Sequence, residues 1–442
     1  MKIYDLAIIG GGSAGMMAAI SAAKNGIKKI AIIEKNKSLG NKLLLTGGGR
    51  CNITNLKDTK ELIQKTSSSL YSKNFLKHSF YTFSPTDLID IFNEKGLDFK
   101  EENNNKIYPI TDDSNSVLSV LLKYLKEYNV KIFNNINVTN IIKENNMFQV
   151  FDSNFDSNFD SNFELIAKNL IISTGGKTFP KTGSNGDGYY FASLFNHKVS
   201  KVLSGLISLN SNEKSIENLS GLTLNDIKVS YYYNSLKCSK IEHHTYGNLI
   251  FTHNGLSGPA ILDISNKIAE SIILNNMSNM SNMNNVNDVN NEIAIYLDFC
   301  PDLTYDLLDA KFKDDFSCNG KNKIKNYLKF YLPNRFIEIF LDLSNVDLDK
   351  TLSNIKKSER KNIINNLKGF KIKINGFNDK NQGMISCGGV KVNEINPKTM
   401  ESKLVKNLYF VGEVLECFAP TGGYNLQIAF STGFLAGKSI VS

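Results

Sequence analysis

The chain is poor in several features that would place a protein quickly. Among its 442 residues there is no tryptophan, and only six cysteines and five histidines occur. No apolar run approaches the roughly 20 residues needed to span a bilayer, so no membrane segment is expected. The cysteines lie at positions 51, 238, 300, 318, 387 and 417 and form no CxxC pair. That spacing argues against a zinc knuckle and against a disulfide framework, and no metal is expected. Scattered thiols fit a reducing cytosol, so the expected location is cytoplasmic. The opening MKIYDLAIIGGG meets glycine too early for the apolar core of a secretory signal. The missing tryptophan accompanies an abundance of Asn, Lys and Ile and fits a coding bias.

What is present is ordinary for a globular chain: 41% hydrophobic and 21% charged residues, over a length that suits two or three domains. Lys plus Arg total 51 against 43 for Asp plus Glu, a formal net charge of +8. That balance suits contact with a polyanion without requiring it.

The first motif stands at the N-terminus. DLAIIG reads as a strand buried on both faces. GGGSAG then sets Gly10, Gly12 and Gly15 in a GxGxxG turn, and MMAAISAAKNG reads as a helix stopping at Gly26. KKIAIIEK is a second strand that ends at Glu34, with Lys35 next. Strand, glycine turn, helix and strand, with an acid about 20 residues past the turn, make a dinucleotide-binding unit. Gly10 permits the tight turn, Gly12 lets a pyrophosphate approach, and Gly15 lets helix and strand pack. Ser13 and Ala14 open the helix, whose free N–H groups attract phosphate. Glu34 can accept from ribose hydroxyls and would repel a 2′-phosphate, so FAD or NAD is expected rather than NADP.

The far end narrows the choice. NLYFVGEV reads as a strand running into Gly412 and Glu413, and APTGGYNLQIAFSTGFLAG is a glycine turn entering a helix. This pairing of termini resembles glutathione-reductase-like flavoproteins, which implies FAD. In that layout the acid after glycine meets the ribityl chain, and the turn Thr421, Gly422, Gly423, Tyr424 and Asn425 faces the flavin. Glu413 is longer than the usual Asp.

Five blocks then carry a more specific resemblance: GNKLLLTGGGRCNITN (40–55), STGGKTFPKTGSNGDGY (173–189), FTHNGLSGPAIL (251–262), CGGVKVNEINPKTMESK (387–403) and VGEVLECFAPTGGYNLQIAFSTGFLAG (411–437). In order and spacing they resemble the BaiN/RdsA-like family of bacterial FAD-dependent oxidoreductases, also described as NAD(P)/FAD-dependent or aminoacetone-oxidase-like. The resemblance covers nearly the whole chain. It implies an α/β fold: a glutathione-reductase-like Rossmann FAD-binding domain with an inserted β-rich plus helical domain. The expected divisions are 1–195 with 381–442 for FAD binding, 196–300 with 367–380 for the β-rich insert, and 301–366 for the helical insert. It also brings Thr174, Gly175 and Gly176 to the cofactor. The family has been assigned several activities, including bile-acid C=C reduction and reduction of a uridine in 23S ribosomal RNA to dihydrouridine. Only one dinucleotide fingerprint is present, so NAD(P)H is expected at most as a transient reductant.

Within LTGGGRCNITN, Gly47, Gly48 and Gly49 would let bare backbone approach the flavin ring. Cys51 is the first candidate general acid for the proton that completes C=C reduction. Arg50 would hold an anionic oxygen and lower the thiol pKa, and Asn52 would bond a flavin or pyrimidine edge. Packing beside the cofactor is the alternative for Cys51. His253 is a further catalytic candidate with an equal structural reading, and Lys42 would meet a phosphate or the flavin or else stand in solvent.

Two basic clusters, Lys321 to Arg335 and Lys356 to Lys373, meet almost no acid in sequence, and Tyr327, Phe330 and Tyr331 are interleaved with the first. They suit RNA contact or, equally, a solvated helix face with core aromatics. The resemblance favours RNA and implies 23S ribosomal RNA or its precursor as a partner of the inserted domain. The oligomeric state is not legible. The repeat FDSNFDSNFDSNFE (151–164) is expected to lengthen a hairpin, and 275–291 is expected to be a loop. Three functions follow: a ribosomal-RNA dihydrouridine synthase, a small-molecule flavin enzyme (amine oxidase or enoate reductase), and a non-enzymatic FAD-containing RNA-binding protein.

Overall fold

The computed structural model describes residues 3–66, 74–152, 163–235, 238–278, 293–378 and 383–440. The chain divides into two units, residues 1–204 with 381–442, and residues 205–380.

The first unit is built on a sheet whose centre is the apolar N-terminal strand Ile3–Ile9. It pairs in parallel with Ile30–Ile33 on one side and Glu164–Ile172 on the other. Lys131–Phe133 extends the sheet beyond Ile30–Ile33. The long strand Glu164–Ile172 is shared between two neighbours. Its first half runs antiparallel to Met147–Asp152, and its last residues run parallel to Leu408–Phe410. Glu164–Ile172 therefore stands between the N-terminal strand and the C-terminal one, and the two ends of the chain build one layer. Continuous Ile, Leu and Ala suit strands covered on both faces.

Helix Ser13–Lys24 and helix Tyr424–Ser439 pack against each other through small residues. A Cβ at Gly433 would stand 2.3 Å from the Ala14 carbonyl oxygen, and one at Gly437 would stand 2.2 Å from that of Ala18. Ser21 adds a hydrogen bond to the Phe434 carbonyl at 2.7 Å. Apart from its ends, the 151–164 repeat lies outside the described residues. The strands that flank it are antiparallel neighbours, with Phe151 opposite Glu164.

The second unit holds an antiparallel seven-stranded sheet. Its order is Phe370–Ile374, Ile293–Asp298, Thr223–Ser235, Cys238–Thr252, Gly255–Ser257, Leu209–Asn210 and Gly376–Phe377. Helix Pro259–Ser278 covers one face, joined to it by Tyr231 Oη with Ser271 Oγ (2.9 Å) and by Thr245 Oγ1 donating to the Ala260 carbonyl (2.9 Å). Helices Tyr305–Cys318, Asn334–Leu343 and Lys357–Gly369 follow. Phe336 and Phe340 meet Phe299 and Phe370 in an aromatic core. Of the segment 275–291, expected as a loop, residues 275–278 instead end helix Pro259–Ser278, and the rest lies outside the described residues.

The basic clusters are less open than their local sequence implies, because their acids come from elsewhere in the chain. Asp349 takes both Lys323 and Lys325, Asp309 takes Arg360, and Asp298 takes Lys368. Tyr327 is a core residue whose hydroxyl donates to Asp315, not a free ring. Lys321, Lys329, Lys356, Lys357 and Lys361 remain exposed, and Phe330 is 83% exposed. No helix among the described residues is long and apolar enough to cross a membrane.

Candidate cofactor site

At the N-terminal glycine turn, three glycines do three different things. Gly10 has φ +100, and a Cβ there would stand 2.6 Å from the Ser173 carbonyl oxygen. A Cβ at Gly15 would stand 2.1 Å from the Gly10 carbonyl oxygen. At Gly12 a Cβ would meet no protein atom within 4 Å. Gly12 is also the N-cap of helix Ser13–Lys24 and borders a cleft. The open side of the turn is therefore a helix N-terminus with unpaired N–H groups and a positive dipole end, a setting for phosphate.

Glu34 is 8% exposed at the end of the second strand. Its Oε2 accepts from Gly11 N at 2.8 Å. Its Oε1 accepts from Asn36 N at 2.9 Å and from Asn36 Nδ2 at 2.7 Å. These bonds hold the carboxylate at the cleft wall with lone pairs to spare for hydroxyl donors. A 2′-phosphate there would meet a fixed negative charge.

The cleft encloses about 1240 Å³ of atom-free space, including its mouth, and lies within the first unit. Gly10, Gly12, Ser13, Ala14, Glu34 and Lys35 line one end, and Lys42, Thr174, Gly175, Glu413 and Asn425 continue the wall. Thr174 follows the strand Glu164–Ile172, and its buried Oγ1 has no partner. That oxygen packs against Gly188, where a Cβ would stand 2.2 Å from it, so the hydroxyl is turned from the cleft. Glu413 accepts from Lys42 Nζ at 3.0 and 2.8 Å and from Ser386 N at 2.8 Å. Lys42 also donates to Thr178 Oγ1 at 2.8 Å. Lys35 is paired with Asp187, another wall residue. Asn425 closes its own turn by donating to the Ala419 carbonyl and accepting from Ala419 N, both at 2.9 Å. A phosphate-ready helix start, a fixed acid and a lysine–carboxylate pair along one cleft fit an extended dinucleotide such as FAD.

Other expected residues stand off this wall. Gly15, Gly176 and Gly412 act by close packing, since a Cβ at each would meet another atom at 2.1, 2.1 and 2.8 Å respectively. Gly47, Gly48 and Gly49 have φ of 58, 68 and 89 and form a left-handed turn, but Lys42, Leu43 and Thr46 line the cleft in their place. Thr421, Gly422, Gly423 and Tyr424 shape the entry to the last helix without lining the cleft.

The residues after that turn have a different task from the one their spacing implies. Cys51 is fully buried, and its amide donates to the Thr46 carbonyl at 2.9 Å. Burial pushes its thiol up to about 12, so the expected lowering by Arg50 does not occur. Arg50 is committed elsewhere. Its guanidinium lies 4.2 Å from the centre of the Tyr108 ring and pairs with Glu102 and Asp112. Asn52, with its oxygen toward Gly423, accepts from Gly423 N at 3.1 Å and donates to the Thr54 carbonyl at 3.0 Å. Asn55 donates to the Gly422 carbonyl at 3.2 Å, and a Cβ at Gly423 would stand 2.4 Å from the Thr54 oxygen. CNITN thus docks on the turn that starts the C-terminal helix. His253 is in the second unit, at an exposed turn between Cys238–Thr252 and Gly255–Ser257.

Some wall residues were not singled out by sequence: Asn36, Thr46, Ser184, Asp187 and Cys417. Ser184 and Asp187 lie in the block 173–189 and Cys417 in the block 411–437, so their neighbourhoods carried a signal although their side chains did not. Among the described residues no cluster of three or more His, Cys, Asp or Glu side chains is arranged to hold a metal.

Comparison with known proteins agrees over the full length. A family model described as the HI0933-like protein Rossmann domain matches residues 4–439. The chain is 27% identical over 435 residues to a 3-dehydro-bile acid delta(4,6)-reductase of Clostridium scindens, covering 98% of each chain. It is 26% identical over 444 residues to a ribosomal RNA dihydrouridine synthase of Escherichia coli, covering 100% of this chain and 99% of that one. A crystal structure of 3-ketosteroid delta1-dehydrogenase from Sterolibacterium denitrificans has the same fold, with a TM-score of 0.51, 12% identity, and coverage of 100% of this chain and 99% of that one.

Proposed function

The chain belongs to the HI0933-like Rossmann-domain family of FAD-dependent oxidoreductases, and on that premise we propose that it reduces an activated C=C bond, with a uridine of 23S ribosomal RNA as substrate. The observation that carries the substrate is the end-to-end likeness to a ribosomal RNA dihydrouridine synthase. The net charge of +8 and the exposed Lys321, Lys329, Lys356, Lys357 and Lys361 support a polyanion as partner.

FAD, when bound, supplies the hydride chemistry. The chain's part is to hold and orient. The amides that follow Gly12 would bind the pyrophosphate, and Glu34 would bind the ribose hydroxyls. Lys42 and Glu413 would order the middle of the cofactor. Cys51 keeps its proton at neutral pH and lies off the cleft wall, so this reading assigns it to packing and needs no thiolate. NADPH or NADH is the proposed source of reducing equivalents, visiting transiently because a second fingerprint is missing.

The likeness to a bile acid reductase favours a second reading, in which the conjugated double bond belongs to a small ring system. One experiment separates the two. The FAD-loaded protein is reduced without oxygen and mixed in parallel with unmodified 23S ribosomal RNA and with a 3-oxo-Δ4 bile acid. Flavin oxidation by the RNA supports the first reading, and oxidation by the bile acid alone supports the second.

A further inference from the structure

Among the described residues, helix Pro259–Ser278 covers one face of the second unit's sheet. Val229, Tyr231, Ile295, Leu297 and Ile372 point to the covered side and are buried. The residues between them in sequence form rows on the opposite face. Lys371, Tyr296, Ser230 and His244 stand opposite one another across four strands. The next row holds Asp298, Lys228 and Tyr246. On the other side of the first row come Lys373, opposite Ala294, and Tyr232, opposite Glu242.

This face is aromatic and basic. Tyr246 is 60% exposed, His244, Lys371 and Lys373 are exposed, and Tyr232 and Tyr296 are half-buried. The rings form two edge-on pairs: Tyr232 with Tyr296 at 5.1 Å, and His244 with Tyr246 at 5.7 Å. Asp298 is already held by Lys368 at 2.7 Å. Rings on an open sheet flanked by lysines suit stacking of unpaired bases, with the cations drawing in the phosphates.

We infer that this open sheet face is a single-stranded RNA platform, with Tyr232, His244, Tyr246 and Tyr296 as the stacking surface and Lys228, Lys371 and Lys373 as the phosphate rim. The inference rests on the RNA reading of function and deepens it, because a base must be unstacked before it can be reduced.

The test uses the full-length FAD-loaded protein and a fluorescein-labelled, uridine-rich single-stranded RNA, read by anisotropy. A double variant, His244→Ala with Tyr246→Ala, should bind about tenfold more weakly, within the range for losing base stacking. Tyr246→Phe should bind like the wild type. Lys371→Gln with Lys373→Gln should reduce the salt dependence. An unchanged flavin spectrum and unchanged chemical reduction of the flavin verify that each variant is folded. A double variant that binds as tightly as wild type overturns the platform. If that variant also reduces ribosomal RNA with unchanged KM, the platform alone fails and the function stands. A wild-type protein that neither binds nor reduces RNA overturns both.

Discussion

Lys42 and Glu413, 371 positions apart in sequence, meet in the cleft wall with Nζ 3.0 and 2.8 Å from the two carboxylate oxygens. The pair joins the first third of the chain to the loop after its last strand. Each member is about one quarter exposed or less, so each relies on the other for compensation. Lys42→Met should leave Glu413 without its cation and weaken FAD binding by about tenfold, the scale of one charge-assisted hydrogen bond. Lys42→Arg should recover part of the loss. Titration of the apoprotein with FAD, followed by flavin fluorescence, checks both variants.

The glycine turn separates folding from binding. A side chain at Gly12 meets only the cleft, whereas one at Gly15 meets the Gly10 carbonyl oxygen. Gly12→Val should therefore fold with a near wild-type melting temperature and fail to retain FAD. Gly15→Val should lose the fold itself. Circular dichroism melting and flavin content after purification distinguish them, and a yellow, stoichiometrically loaded Gly12→Val protein would contradict the assignment.

These two sets of residues differ in how far sequence could reach them. Glu34 was legible because a strand, a turn and a helix fix its distance from Gly10 to Gly15. Lys42 was legible only as a candidate, because its partner comes from the other end of the chain. Arg50 was misread for the same reason: Glu102 and Asp112 reach it through the antiparallel strands Phe99–Glu102 and Lys106–Pro109 and the turn after them. The basic clusters looked unpaired because Asp298, Asp309 and Asp349 lie outside them in sequence. Local spacing could not say that CNITN braces the last helix, because Asn52 and Asn55 meet Gly423 and Gly422 from the far end of the chain.

Burial of Cys51 has a pH consequence. Its thiol is raised from the ordinary 9.0 to about 12 in the fold. The fold then holds the proton more tightly than the unfolded chain does, so this contribution is complete below pH 9 and is lost as pH rises from about 9 toward 12. Cys51→Ala should flatten the alkaline fall in stability between those limits, measured as urea midpoints against wild type. In native protein near pH 8, the exposed Cys318 should react quickly with a thiol reagent while Cys51 reacts only on unfolding.

The contact between the first and last helices sets a stability limit. Gly433→Ala forces a methyl to within 2.3 Å of the Ala14 carbonyl oxygen. The helices must separate, at a cost of about 1–3 kcal/mol, the usual range for overpacking. Denaturant unfolding measures the loss, and an unchanged midpoint would mean that the helices move apart freely.

The most direct test of the central claim is the dihydrouridine content of 23S ribosomal RNA. Unmodified RNA is incubated without oxygen with the reduced, FAD-loaded protein and analysed by nucleoside mass spectrometry. The account predicts that one dihydrouridine forms for each flavin oxidised. Unchanged uridine beside a flavin that is oxidised by a 3-oxo-Δ4 bile acid would contradict it.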